Sequence, residues 1–202
     1  MFRERGAVEQ TIHKGQDRTV RGTIVDRAAD DQAIGRFFQT ASKQPWFQNT
    51  LFVLTSDHTN MSSHAEYQTD LGGFCSPIII YDPSKPEGTM QDKVAQQIDI
   101  LPTVLGLLGY QKPYLAFGID VLNTPAEDTW AVNYLNGIYQ YVKHGHVLQF
   151  DGQRTRAVYA LTDSLMKHNL VGSSPDQESM EQELKAIIQQ YMARMTQDRL
   201  LP

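Results

Sequence analysis

An α/β fold, a parallel-type sheet flanked by helices and followed by a small antiparallel sheet with its own packing helix, is predicted by three observations. The runs Thr50 to Ser56 and Ser76 to Tyr81 are short, continuously apolar and rich in β-formers, the pattern of strands buried on both faces. Segments with helical periodicity stand on either side of that pair. Beyond Asn123-Thr124-Pro125 the chain turns into short β-prone runs separated by turn dipeptides, the pattern of a meander.

Taken in order, residues 1–25 form a polar leader with Gly6, Gly15 and Gly22 and scarcely any apolar period. From Asp26, a candidate cap, residues Ala29, Ala33, Ile34, Phe37, Phe38 and Ala41 recur at helical spacing, and Pro45 follows the end. The first strand ends on Asp57 and His58, and the second opens at Pro77, which is tolerated only at a first position or an edge. A further helix reaches Leu108, with Asp99 as its cap, Pro102 in its first turn and Gly109 as its stop. The leader and the core portion, residues 26–123, precede a C-terminal portion, residues 124–202.

In that last portion Trp130 to Leu135, Ile138 to Val142, Val147 to Phe150 and Ala157 to Leu161 read as strands, divided by Asn136-Gly137, Gly145 and Asp151-Gly152. The closing helix carries Met180, Leu184, Ile187, Ile188, Tyr191 and Met195 on one face, which should pack on the small sheet. Ser174, Pro175 and Gln177 read as its cap, first-turn proline and capping-box partner. No internal repeat or low-complexity segment interrupts this order.

With 202 residues, 41% hydrophobic and 20% charged, the chain has the composition of an ordinary globular protein and can bury one sizeable core. It shows neither an apolar run long enough to span a membrane nor a signal-peptide pattern, so it carries no address of its own. Lys and Arg number 18 against 23 Asp and Glu, a net charge of -5 that argues against a nucleic-acid partner. An anionic substrate would then need a local positive centre, which a metal ion supplies. The single cysteine, Cys75, excludes an internal disulfide framework and reads as a buried small hydrophobe.

Open α/β sheets do their chemistry at the carboxyl ends of their strands, and Asp57 and His58 sit at such an end. Neighbours in a regular strand point to opposite faces, so the two can grip one ion only if the chain is already turning into the polar loop Thr59-Asn60-Met61-Ser62-Ser63. A carboxylate oxygen with a neutral imidazole suits manganese or zinc best, with magnesium or calcium as the harder alternatives. His64, in the same loop, is a weaker candidate for touching substrate, against the plain reading of a solvated histidine. Tyr134, Tyr139, Tyr141 and Phe150 offer either a sugar-stacking surface or simple strand propensity.

The strings Asn49 to Thr59, Pro77 to Pro83 and Gln97 to Leu105, with Phe117-Gly118 and Leu148 to Gly152 further on, resemble the lipoteichoic acid synthase-like branch of the sulfatase and alkaline phosphatase superfamily. That resemblance covers roughly residues 26–200 and implies a partial alkaline phosphatase-like core. It further implies cleavage or transfer of phosphate or sulfate esters with one divalent cation, and it maps the family's metal-binding pair onto Asp57 and His58. Family members are extracytoplasmic and usually tethered by membrane helices upstream of the catalytic domain, so the expected place is the outer membrane face or periplasm. Their threonine nucleophile and an acidic ligand lie upstream, so no catalytic residue is expected in this chain, which reads as an inactive C-terminal part. By order alone, His13 takes the family's substrate-binding histidine. Cys75-Ser76-Pro77 imitates the sulfatase signature but has Ile79 where an arginine is required, and that reading is rejected. The other class open to the sequence is a non-catalytic binding or scaffolding module that keeps the same shell.

Overall fold

The computed structural model describes residues 21–57, 64–85 and 87–201, with side chains from residue 31 onward. His13, His58, Thr59 and Asn60 therefore lie outside the described residues. The chain divides into two compact units, one holding the first helix and the first strand pair, the other holding residues 56–76 and 91–202.

In the first unit, helix α1 (Arg21–Ala41) begins ahead of the Asp26 start that the sequence suggested. No proline interrupts Arg21 to Asp26, and Gly22 falls in the first turn, so nothing there breaks a helix. Strands β1 (Phe52–Thr55) and β2 (Ile78–Tyr81) pair antiparallel, Phe52 opposite Tyr81 and Thr55 opposite Ile78. The parallel direction expected for this pair is thus corrected. An apolar run reports burial and not direction, and among the described residues the connection between the two strands holds short 3-10 turns instead of the crossover helix that parallel strands use. Phe38 joins the layers of this unit edge-on, its ring 5.2 Å from Phe37, 5.1 Å from Phe52 and 5.6 Å from Tyr81. Edge-to-face pairs of this kind place the positive ring edge on the negative ring face and add to the burial of Phe47 and Ala41.

The second unit is built on the meander β3 (Ala131–Leu135), β4 (Ile138–Lys143), β5 (His146–Phe150) and β6 (Thr155–Ala160), each strand antiparallel to the next. Two-residue hairpins need positive φ at both central positions, and Asn136 (51°) with Gly137 (84°) and His144 (47°) with Gly145 (72°) supply it. At the third turn Asp151 accepts the amides of Gln153 and Arg154, each at 2.9 Å, while Gly152 takes φ 91°.

Alternation along the strands gives the meander two apolar faces. Tyr141, Leu148, Phe150 and Val158 face helix α3 (Gln177–Thr196), from which Met180 and Leu184 enter the same core. On the other face Ala131, Val142 and Val147 are covered by Leu71, Val94 and Met166. The α/β class, the antiparallel meander and its packing helix are therefore all present. Tyr191 and Met195 finish the apolar stripe of α3 half exposed, although the Tyr191 ring does lie 5.0 Å from Phe117.

The start of α3 differs from the capping box read in the sequence. Asp176 is the N-cap, the Ser174 hydroxyl is buried without a partner, and the Gln177 carboxamide oxygen instead accepts the Gly172 amide at 2.6 Å. A tight turn through Leu170, Ser173 and Ser174 consumes the residues that a Ser174 cap would have required. The helix is held to the sheet by polar contacts as well. Glu183 accepts the Tyr141 hydroxyl at 2.7 Å and the Lys143 ammonium at 2.8 Å, and Glu181 accepts the Thr155 hydroxyl.

Leu184 is fully buried between α3 and the meander, so Leu184→Ala removes its packing and leaves a cavity. The expected cost is about 2–5 kcal/mol of unfolding free energy, read from urea denaturation followed by circular dichroism. A loss below about 1 kcal/mol would show that α3 contributes little to this core.

Candidate functional site

The chain leaves β1 at Thr55 and bends at Asp57, whose side chain is exposed. What fixes this bend lies forty residues further on. The Gln97 carboxamide nitrogen donates to the Ser56 carbonyl at 2.5 Å and reaches the Asp57 carbonyl at 3.4 Å. Gln97 opens the 3-10 turn Gln97–Asp99 that leads into helix α2 (Ile100–Leu107), which stops at Gly109 with φ 67°.

The preceding residue is tied down in the other direction. Gln96 pairs with the meander, its amide nitrogen donating to the Trp130 carbonyl at 3.3 Å and its oxygen accepting the Val132 amide at 3.0 Å. The side chain thereby imitates a strand partner at the start of β3.

Asp99, expected to cap α2, makes no side-chain bond to that helix. Its carboxylate turns back instead, accepting the Gln96 amide at 2.9 Å and the Ile119 amide at 2.8 Å. The difference is physical: the 3-10 turn ahead of α2 already uses the Asp99 side chain to close on Gln96, so it cannot also serve the first turn of the helix. One turn later Thr103 accepts the Val121 amide at 3.1 Å and donates to the Ile119 carbonyl at 3.4 Å. Gly118 fits here because any Cβ would collide with the Ile98 carbonyl. Lys93 completes the stitching, donating to the carbonyls of Val121 (2.9 Å), Leu122 (3.2 Å) and Thr124 (2.8 Å).

Asp99 is 1% exposed, and that burial pushes its pKa up to about 6 while its two backbone bonds pull it back. Gln96, Gln97, Thr103 and Lys93 were not singled out from the sequence. Asp99 and Thr103, spaced four apart beside an otherwise apolar helix, are the local signal from which a shared partner could have been read.

His64 stands on the surface ahead of the 3-10 turn Ala65–Gln68, its Nδ1 3.8 Å from Glu66 and its ring 6.4 Å from that of Tyr67. Further along the same segment, Thr69 donates to the Glu66 carbonyl at 2.9 Å and Asp70 accepts the Gln149 amide at 3.3 Å. Cys75 is exposed instead of buried, since it ends the turn Gly72–Phe74 and lies outside β2. Of the four aromatic residues offered as a stacking surface, Tyr141 and Phe150 are buried, whereas Tyr134 is open and stacks 4.6 Å from Tyr139.

Among the described residues no three His, Cys, Asp or Glu side chains gather as a metal site. Asp57 still fits as one ligand, because it presents an accessible carboxylate on a bend whose backbone is fastened from behind.

The Sulfatase family model matches residues 8–110, about half of the chain. The chain belongs to the sulfatase family. Its sequence is 27% identical over 124 residues to the multifunctional alkaline phosphatase superfamily protein PehA of Trinickia caryophylli, covering 58% of this chain and 24% of that protein. It is 29% identical over 134 residues to lipoteichoic acid synthase of Staphylococcus saprophyticus, covering 60% of this chain and 20% of that protein. The chain thus spans a quarter or less of these two relatives. The crystal structure of an alkaline phosphatase superfamily protein from Vibrio parahaemolyticus shares the fold, with TM-score 0.68 and 22% identity over 85% of this chain and 41% of that one.

Because Asp99 titrates near 6 in the folded chain and near 3.8 in a free one, the folded form keeps a proton that the unfolded form has lost between those values. Its contribution to stability therefore falls as pH rises from about 4 to about 6. Asp99→Asn lacks this titration, so its unfolding free energy relative to the parent chain should improve by about 1–3 kcal/mol between pH 4 and pH 7. Urea denaturation at the two pH values measures this, and a pH-independent difference would mean that Asp99 is ionised throughout.

Proposed function

We propose that this chain supplies the metal-binding end of a sulfatase-family catalytic domain acting on anionic sulfate or phosphate esters. The observation that carries this reading is the exposed carboxylate of Asp57, set where the chain leaves β1 and held by its backbone through Gln97. Asp57 and the adjoining His58 would hold one divalent cation in part, with manganese or zinc the best match to an oxygen and nitrogen donor pair. Such an ion polarises a phosphoryl or sulfuryl oxygen and offsets the negative charge that develops there.

The roles of the chain's own residues follow from where they sit. Asp57 donates one oxygen and fixes where the negative charge of the substrate can approach. Gln97 keeps the strand end from relaxing, and Gln96 and Asp99 hold Gln97's turn against the meander. The attacking nucleophile, a threonine in the family resembled, is assigned to no residue described here. His64 is exposed on the neighbouring segment, beside the Glu66 carboxylate. The relatives include lipoteichoic acid synthases, which supports an extracytoplasmic place at the cell envelope, and among the described residues no helix is long and apolar enough to cross a membrane.

A scaffolding role is the second reading, favoured by the lack of a three-donor cluster among the described residues. Calorimetric titration with Mn2+ separates the two. Weak binding that drops at least tenfold in Asp57→Asn supports the metal-bearing reading, because the lost interaction is with a charged ligand. Binding indifferent to Asp57 supports the scaffold. With aryl sulfate or aryl phosphate and added Mn2+, turnover by this chain should stay at background. Robust turnover abolished by Asp57→Ala would show that these residues hold a complete catalytic set.

A further inference from the structure

The polar stitches of the second unit converge on two adjacent glutamines, and their side chains run opposite ways. Gln96 occupies strand-partner positions on β3, while Gln97 bonds the carbonyls of Ser56 and Asp57, which flank the Asp57 Cα. We infer that Gln97 is a positioning residue for Asp57, a bracket that sets the carboxylate relative to the meander and so determines how well the strand end binds a divalent cation. This rests on the reading of Asp57 as a metal ligand.

Three features support the assignment. An amide donor brought from forty residues away holds the Ser56 carbonyl at the strand terminus without adding charge next to a cation site. The donor is a carboxamide, so its protonation does not vary with pH. Gln97 is also rigidly based. Its turn is closed by Asp99 on Gln96, and the backbone of that turn is packed so closely by Gly118 that a Cβ there has no room. A long exposed side chain on a mobile base would lose its benefit to entropy, and this one starts from a fixed point.

Its geometry excludes a role in the core. Gln97 is exposed and among the described residues reaches the two carbonyls alone, so removing its amide should leave the packing of the meander and α3 intact. One bond of this type corresponds to roughly a 3- to 10-fold change in an equilibrium.

The test compares the parent chain with Gln97→Met, which keeps the side-chain length and removes the donor, with Asp57→Asn, and with the double variant. Mn2+ affinity is measured by titration calorimetry, and exchange of the Asp57 amide by hydrogen-exchange NMR. Gln97→Met is expected to weaken Mn2+ binding about 3- to 10-fold and to speed Asp57 amide exchange by a similar factor, with the thermal midpoint unchanged. The double variant should bind no more weakly than Asp57→Asn alone. If Asp57→Asn weakens binding but Gln97→Met does not, the positioning role is overturned and the metal ligand stands. Loss of affinity in Gln97→Met accompanied by a lower thermal midpoint shows a merely structural role and also overturns it. If the parent chain binds no Mn2+, or Asp57→Asn binds as well as the parent, the ligand reading fails and the positioning role with it.

Discussion

The second unit depends on a buried carboxylate held by backbone amides. Asp99 is buried with its two oxygens spent on the backbone amides of Gln96 and Ile119, residues far apart in the chain. Burying a charge is costly unless every lone pair finds a donor, and here the donors are two peptide groups that would otherwise be orphaned beside a helix start. The arrangement satisfies both needs together. It closes the 3-10 turn, brings the loop after α2 against that turn, and leaves Gln96 and Gln97 with no freedom in where their side chains begin. Breaking it would release the meander and the strand end at the same time.

Much of the architecture was legible because it follows from period and from glycine. The alternation in Trp130 to Leu161 and the Asn136-Gly137 pair marked the hairpins, and both hairpin turns adopt the positive φ that such pairs serve. Helix α2 ends at Gly109 as its sequence indicates. The direction of the β1 to β2 pairing was not legible. A run such as Ile78-Ile79-Ile80 records only that both faces are covered, and direction is decided by how the connection travels.

Side-chain bonds to distant backbone were equally hidden. Nothing local marks Gln96 or Gln97 as bracing residues, since glutamine is common on surfaces and its partners lie some forty residues before it or thirty-five after it. The Ser174 cap misled for a related reason. A serine followed three residues later by glutamine satisfies the local rule, yet the turn ahead of α3 gives that glutamine a nearer backbone donor at Gly172. A charged residue ending an apolar strand, as Asp57 does, is a local signal, whereas the grip on its backbone is not.

Lys93 illustrates a last property of this network. Its ammonium donates to three carbonyl oxygens within reach of ordinary hydrogen bonds, so its nitrogen is not on offer to an electrophile while the loop stays closed. Amine-acylating reagents should therefore distinguish this lysine from Lys85, whose side chain is largely open to solvent. The reactivity of a single nitrogen thus becomes a chemical clock for local opening of the segment that follows α2, independent of any ligand.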